Sequence, residues 1–306
     1  MEPAAVLLSA GPGATRAPAL SAAASTLVAP LLDGPDRPLR LVGRTPAAVH
    51  LATGDDDLPL LAVTSAHAVR LPAGLQLAGT RPGDLPAGPV RVKGGRVLMG
   101  AVEVRVARWW APPRPAVLDV DRALAAWCRL GPRLPCLEPV VAAALRAVGG
   151  RGPDLARAVP ALVGLGTGLT PSGDDVLAGA LVTLRAVARG GGARCGAYAG
   201  TLADAVAEAV ADVLTGSSAG VSGRPSGGGT ARRSTTEVSA ALLRDAAHGR
   251  CIPELADLLT ALDRGTDVAA RRALRQLLGI GHSSGTALAR GSLIALRAAR
   301  PAGERR

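Results

Sequence analysis

The sequence predicts an α+β protein with a β-rich N-terminal domain followed by a mainly helical C-terminal domain. Residues 38–115 contain short apolar runs broken by Gly, Pro and Asp, a pattern typical of strands. Residues 116–306 contain longer segments in which apolar residues recur at helical spacing. At 306 residues the chain most naturally divides into two domains, although one large domain also fits its length.

A segment rich in Ala, Pro, Gly and Ser, residues 1–37, precedes both patterns. Its composition predicts a loosely ordered leader with at most a short helix or strand. The first residues lack a basic segment and are interrupted by Gly11, Pro12 and Gly13, so they match a signal peptide poorly.

Six short runs between Arg40 and Arg108 predict strands. In the last run Val102, Val104 and Val106 alternate with charged residues, which is the period of a half-buried strand. The runs read LRLVG, AAVHLAT, LPLLAVTS, AVRLP, PVRVKGG and RVLMGAVEVRVARWW.

The chain turns helical after the Trp-Trp-Ala-Pro-Pro sequence that begins at Trp109. A Gly- and Ser-rich segment, Gly216–Arg233, interrupts the helical part and is flexible by composition. It is either a lid over a site or an insertion. The predicted helices are Asp119–Arg129, Leu137–Val148, Pro171–Arg189, Thr201–Leu214, Thr235–Ala247, Pro253–Leu262 and Ala269–Leu278.

The formal net charge of +11 raises the question of nucleic-acid binding. All but one of the 35 basic residues are arginine, and they are scattered singly or in pairs such as Arg232-Arg233. Stacking residues are scarce, with three tryptophans, one tyrosine and no phenylalanine. We therefore expect no nucleic-acid partner, whereas attraction of a small anionic substrate remains physically reasonable.

The cysteines and histidines form no metal-binding motif in the sequence. Four cysteines are far apart, without a Cys-x-x-Cys pair, and four histidines lack the spacing of two ligands on one helix face. Reduced thiols in the cytoplasm fit this cysteine usage best. No uninterrupted apolar span reaches membrane length, so we expect no membrane partner.

The stretch GLGTGLTPSGDD, Gly164–Asp175, combines three alternating glycines with two adjacent carboxylates at a helix start. Ser172 or Thr170 can cap that helix, and acidic residues in its first turn favour the helix dipole. Capping alone does not require the glycines. Bare backbone N–H groups attract anions, whereas carboxylates repel them, so a simple anion site does not fit both features. The stretch is therefore either a helix cap or a site that binds a divalent cation, an amide or an ammonium group, or performs acid–base chemistry.

A second glycine loop, GIGHSSG, formally contains the Gly-x-Ser-x-Gly pattern of serine hydrolases. Its context argues against that class, because a helical segment precedes it and no histidine follows His282. Ser283 and Ser284 are better interpreted as helix caps or hydroxyl donors, with His282 as a polar contact.

The helices after the two glycine loops resemble each other. PSGDDVLAGALVTLRA, residues 171–186, aligns with SSGTALARGSLIALRA, residues 283–298, and both copies carry a mid-helix glycine, Gly179 and Gly291. A glycine there costs about 1 kcal/mol relative to alanine. Both glycines would permit close approach of another backbone, and related copies would bring their N-termini to one shared site.

Three segments carry a family resemblance: GLGTGLTPSGDDVLAGAL, STTEVSAALLRDAAHG and GIGHSSGTALARG. Together they resemble the AllH family, formerly a domain of unknown function, from about residue 40 onward. The resemblance implies a role with other carbamoyltransferase subunits in converting oxalurate and phosphate to oxamate and carbamoyl phosphate during anaerobic allantoin use. A non-catalytic ligand-binding or assembly subunit is the alternative, since the resemblance supplies no catalytic residue.

We expect the two glycine loops to form two walls of one polar pocket. Asp174 and Asp175 are the predicted catalytic residues, and a divalent cation is a possible cofactor. We expect Asp174→Asn to impair binding or turnover while leaving the fold intact, because only dipole energy is at stake. The predicted ligand-binding residues are Gly166, Gly168, Thr170, Ser172, Gly173, His282, Ser283 and Ser284.

Overall fold

The computed structural model of the protein describes residues 19–85, 87–131, 134–147, 152–216 and 235–300. Within these residues the chain forms a closed eight-stranded β-barrel followed by a bundle of helices. The segment Gly216–Arg233, predicted as a lid or an insertion, lies outside the described residues except for Gly216.

The strands follow one another around the barrel in the order β1-β5-β4-β3-β2-β6-β7-β8. The barrel closes where β1 pairs in parallel with β8, from Ala19 opposite Glu103 to Ser25 opposite Trp110. A short helix, α1 (Ala29–Asp33), follows β1. The strands are β1 (Ala19–Ser25), β2 (Arg37–Arg44), β3 (Ala48–Ala52), β4 (Leu60–Thr64), β5 (Gly74–Leu77), β6 (Val90–Lys93), β7 (Arg96–Met99) and β8 (Val102–Trp110).

Alternation along each strand fills the barrel interior. Val49 and Leu51 of β3, together with Leu61 and Val63 of β4, belong to one buried apolar cluster. Val102 also belongs to it, at the start of the strand whose alternation was clearest in the sequence. Residues between these positions point away from the barrel axis, because successive strand side chains face opposite sides.

The predicted α+β class is wrong. The strands close into a barrel around a core of their own, and the helices pack around a separate core. Closure depends on β1, whose sequence ALSAAAS lies in the segment predicted as a leader. Alanine is depleted in strands, so composition concealed this strand, which pairing with β5 and β8 holds in place.

Among the described residues, the helices of the bundle lie between Val120 and Ala298. Helix α4 was missed because Gly152, Pro153 and Pro160 interrupt the helical pattern. The run AVRLP is not a strand, and β5 begins at Gly74, two residues after the run ends. The helices are α2 (Val120–Leu130), α3 (Pro139–Ala147), α4 (Gly152–Leu162), α5 (Ser172–Gly190), α6 (Ala193–Thr215), α7 (Glu237–Ala247), α8 (Pro253–Asp263), α9 (Asp267–Leu278) and α10 (Ser284–Ala298).

The helices α5 and α10 pack backbone to backbone at their mid-helix glycines. A Cβ on Gly179 would collide with the carbonyl of Leu288, and a Cβ on Gly291 would collide with the carbonyl of Val176. The same two helices also meet at their N-termini, where the Ser172 and Ser283 hydroxyls are 2.9 Å apart. They therefore run in the same direction with adjacent N-termini.

Gly291→Ala should destabilise the bundle, because α5 and α10 must separate to admit a methyl group against a carbonyl oxygen. We expect a loss of about 1–3 kcal/mol in the free energy of unfolding, measured by urea denaturation. Gly200→Ala in α6 is the control, because its Cβ would meet only the Ala188 side chain at 3.7 Å. This change should leave stability unchanged or raise it by up to about 1 kcal/mol. Equal effects of the two substitutions would contradict the close helix packing.

Candidate functional site

A cavity of about 380 Å³ lies between the barrel and the helical bundle. The barrel contributes Ala48, His50 and Thr64 from β3 and β4. The bundle contributes residues of the first glycine loop, α5, α7, α8 and the start of α10. Most lining side chains are aliphatic, and a few polar groups interrupt them. This combination is typical of small-molecule sites, which span about 300–1,000 Å³.

The bundle is attached to the outer face of β2, β3 and β4. Leu60 of β4 packs with Val238 and Ala241 of α7 in a small apolar cluster. At the rim of this contact an exposed ion pair joins Arg40 of β2 to Glu237 at 2.6 Å. The apolar contacts rather than the solvated ion pair stabilise this boundary, because exposed ion pairs contribute only about 0–1 kcal/mol.

The two glycine loops lie side by side, as the internal resemblance of their helices suggested. The hydroxyls of Thr170 and Ser284 are 3.1 Å apart, and those of Ser172 and Ser283 are 2.9 Å apart. Thr170 and Ser284 line the cavity. The loops therefore form adjacent walls of one cavity, although that cavity is mainly apolar and not the polar pocket expected from the sequence.

The glycines of the first loop shape the backbone around its own carboxylate. Gly164, Gly166 and Gly168 all have positive φ angles, which favour glycine. The Gly164 N–H donates to Asp174 Oδ1 at 2.8 Å, and the Gly173 N–H donates to a carbonyl of the same loop at 2.7 Å. These donors are occupied within the protein, so this loop does not present them to an anion.

Asp174 is a buried structural acceptor at the centre of this loop. Only 1% of the residue is exposed, and it is not among the cavity-lining residues. Its Oδ2 accepts hydrogen bonds from the Ser239 hydroxyl at 2.8 Å and from the Thr235 hydroxyl. Burial raises the pKa of Asp174, and its three donors act in the opposite direction. The carboxylate thereby joins the first glycine loop to the beginning of α7.

Asp175 faces the cavity instead. The residue is 7% exposed, and its Oδ2 has no hydrogen-bond partner among the described residues. Burial raises its pKa to about 7, and the nearby Asp174 charge acts in the same direction. Hydrogen bonds from the Ser284 and Thr170 hydroxyls act in the opposite direction. A carboxyl group with this pKa exchanges a proton readily near neutral pH, as a general acid or base requires.

Two further polar residues of the cavity come from the connection between α7 and α8. Arg250 lies 3.3 Å from Asp245, whose pKa is raised to about 6 by burial against the opposing effect of that arginine. Burial raises the pKa of the Cys251 thiol to about 12. Cys251 is therefore a neutral thiol and a poor nucleophile at neutral pH.

Three of the predicted site residues line the cavity: Thr170, Asp175 and Ser284. The structure places the others beside it, in the loops or beneath them. Among the described residues no cluster of three or more His, Cys, Asp or Glu side chains could hold a metal ion. The predicted residues that are not among those lining the cavity are Gly166, Gly168, Ser172, Gly173, Asp174, His282 and Ser283.

Sequence reasoning missed several polar residues of this region, including two that line the cavity and two that bind Asp174. His50 and Arg250 line the cavity, and Thr235 and Ser239 bind Asp174. His50 is one of the four histidines that lack metal-ligand spacing, so no sequence feature placed it at a site. Thr235 and Ser239 lie in the segment STTEVSAALLRDAAHG, which carried the family resemblance, so that segment was the signal available for them.

The fold places a cavity of ligand size between a closed barrel and a helical bundle. The AllH family model, described as oxamate carbamoyltransferase subunit AllH, matches residues 162–296. This match confirms the predicted resemblance to the AllH family, over the chain from the end of α4 into α10. The barrel lies outside the match, although the resemblance was expected from about residue 40. Neither curated proteins nor solved structures gave a match.

The description of that family names a subunit of an oxamate carbamoyltransferase, which indicates that the proteins of this description work in a multi-subunit complex. Among the described helices, none combines the length and hydropathy that a membrane span requires.

Asp174→Asn should destabilise the protein, contrary to the expectation from the sequence alone. An amide presents one acceptor oxygen where the carboxylate presents two, so at least one of its three donors loses its partner. We expect a loss of about 1–3 kcal/mol in the free energy of unfolding, measured by urea denaturation. Ser239→Ala removes one donor and should cost about 1 kcal/mol. Wild-type stability of Asp174→Asn would contradict the structural role.

Asp175→Asn should change how stability depends on pH. Since the folded-state pKa of about 7 exceeds the ordinary value of about 4, Asp175 favours the folded state while protonated. Its contribution is complete below pH of about 4 and declines as pH rises to about 7, by at most about 1.4 kcal/mol per pH unit. The wild-type minus variant difference in unfolding free energy, from denaturation at each pH, should follow this decline. Asp56→Asn removes an exposed carboxylate and so controls for the loss of charge alone. If the difference in unfolding free energy between the wild type and Asp175→Asn does not depend on pH, the raised pKa of Asp175 is refuted.

Proposed function

We propose that this chain is a subunit of a carbamoyltransferase-type enzyme that acts on oxalurate or oxamate-like small carboxylates with phosphate. The observation that carries the proposal is that residues 162–296, which match the AllH family, supply Asp175, Arg250 and Ser284 to one cavity. In the proposed reaction a phosphate oxygen attacks the carbamoyl carbon of oxalurate. The bond from that carbon to the oxamate nitrogen breaks, which releases carbamoyl phosphate and oxamate.

Asp175 is suited to the proton transfer in this reaction. The leaving oxamate nitrogen must gain a proton, and the attacking phosphate must lose one. A carboxyl group with a pKa of about 7 can donate the first proton and accept the second. The Ser284 and Thr170 hydroxyls beside it, 3.1 Å from each other, can donate hydrogen bonds to the carbonyl oxygen on which negative charge develops.

Charge in the cavity supports the subunit role. Oxalurate and phosphate are both anions, and among the described lining residues Arg250 is the single arginine or lysine. Arg250 can bind a carboxylate through paired hydrogen bonds, which leaves the phosphate charge to be balanced by a partner subunit.

The second candidate is a non-catalytic ligand-binding or assembly subunit. Two observations favour it: the cavity is mainly aliphatic, and Arg250 already has Asp245 as an ion-pair partner. In this alternative the cavity binds a ligand that regulates or orients the partner chains, while the partners supply the catalytic groups.

The proposed setting is cytoplasmic allantoin and purine breakdown. The described cysteines, all free, support a reducing compartment. The family description supports the oxamate-related chemistry.

Carbamoyl phosphate formed from oxalurate and phosphate is the measurement that tests the proposed reaction. The purified chain should be assayed alone and with candidate partner subunits encoded beside it. We expect activity in the complex and at least about a tenfold rise in KM for oxalurate on Arg250→Gln, because a hydrogen-bonded charge pair is lost. Arg244→Gln, at an exposed position of α7 outside the cavity lining, is the matched control.

Two outcomes favour the alternative. A complex that assembles without forming carbamoyl phosphate indicates a different reaction or a non-catalytic role. A complex that is active with Asp175→Asn and Arg250→Gln at wild-type rates places catalysis in the partner chains.

A further inference from the structure

His50 is a barrel residue that points out of the barrel. Its neighbours Val49 and Leu51 lie in the barrel core, so the side chain of His50 projects from the opposite face of β3. That face is covered by the helical bundle, and His50 is only 5% exposed. The side chain lines the same cavity as Asp175.

Two buried polar atoms in this cavity have no hydrogen-bond partner among the described residues: His50 Nδ1 and Asp175 Oδ2. One belongs to the barrel and the other belongs to the helical bundle. Buried polar atoms without partners are rare and costly in folded proteins. Two of them in one cavity of ligand size indicate a ligand that supplies the missing partners.

We propose that His50 is a ligand-contacting residue and that the cavity binds a carboxamide or carbamoyl group between His50 of the barrel and Asp175 of the bundle. Such a group offers N–H donors and a carbonyl acceptor on one small plane, and so complements both unpartnered atoms. The aliphatic lining surrounds the remainder of the ligand. The carbamoyl class rests on the proposed function, whereas the placement of His50 rests on the cavity itself.

The charge state of His50 suits hydrogen bonding to a neutral group. Burial lowers the pKa of His50, so the imidazole is neutral near pH 7 and carries one N–H and one acceptor nitrogen. The other titratable or charged groups that line the cavity are Asp175, Arg250 and Cys251. The side chain of Arg250 is paired with Asp245.

Calorimetric binding to the full chain tests this proposal with two probes. Oxamate carries a carboxamide and a carboxylate, and butyramide carries a carboxamide and an apolar remainder. His50→Leu should weaken the binding of both probes about tenfold. Since the unliganded protein has no bond at Nδ1 to lose, its melting temperature should stay the same or rise. His50→Asn, which keeps a polar group near the position of Nδ1, should retain affinity within a few-fold.

His67→Leu is the matched control, because His67 lies in the exposed connection after β4 and outside this cavity. It should leave affinity unchanged. If His50→Leu fails to fold, ¹⁵N-histidine NMR of the wild-type protein replaces it, with assignment by His50→Asn. A shift of the His50 ring nitrogens on adding oxamate or butyramide supports the contact, and unchanged His50 signals at saturating probe overturn it.

The outcomes separate this proposal from the proposed reaction. Butyramide binding that depends on His50, without carbamoyl phosphate formation by any complex, supports the site and overturns the reaction. Carbamoyl phosphate formation with wild-type affinity in His50→Leu overturns the role of His50 and leaves the reaction standing. Failure of both probes to bind the wild-type chain at millimolar concentration overturns the site.

Discussion

The close approach of α5 and α10 is the constraint on which the site depends. Gly179 and Gly291 each lie where a side chain would collide with the backbone of the other helix. This contact brings the two helices together, and the Ser172 and Ser283 hydroxyls, 2.9 Å apart, show that their N-termini are adjacent. The paired hydroxyls of Thr170 and Ser284 join the loops there, and Asp175 projects from the first turn of α5 into the cavity between the bundle and the barrel.

The two neighbouring aspartates have different roles because of helix geometry. Successive helical residues point about 100° apart around the axis. Asp174 therefore turns toward Gly164 and Ser239, where donors surround it, while Asp175 turns toward the cavity, where one of its oxygens has no partner. The glycines Gly164, Gly166 and Gly168 are needed because the loop must wrap around Asp174 before α5 begins.

The sequence predicted what local pattern controls and missed what tertiary contacts control. Most helices of the bundle follow from apolar periodicity, and the adjacency of the glycine loops was anticipated from the resemblance between α5 and α10. β1 was not predicted because an alanine-rich segment has little strand propensity of its own. Pairing with β5 and β8 holds it in the sheet. His50 was not predicted as a site residue because a strand side chain that faces away from the barrel is expected to be solvent-exposed. In the structure the helical bundle covers it. Nor does adjacency in sequence reveal which of two aspartates faces a cavity.

The parallel pairing of β1 with β8 has a consequence for how the chain folds. β2, β3 and β4 pair with their neighbours in sequence in antiparallel orientation. Closure of the barrel must instead bring Ala19 opposite Glu103, so its loop-closure entropy cost is larger. During synthesis the barrel sequence leaves the ribosome before α7 exists, and N-terminal units generally fold first. Until α7 emerges, the outer face of the barrel around Leu60 is therefore an uncovered apolar surface. Chaperones bind surfaces of this kind.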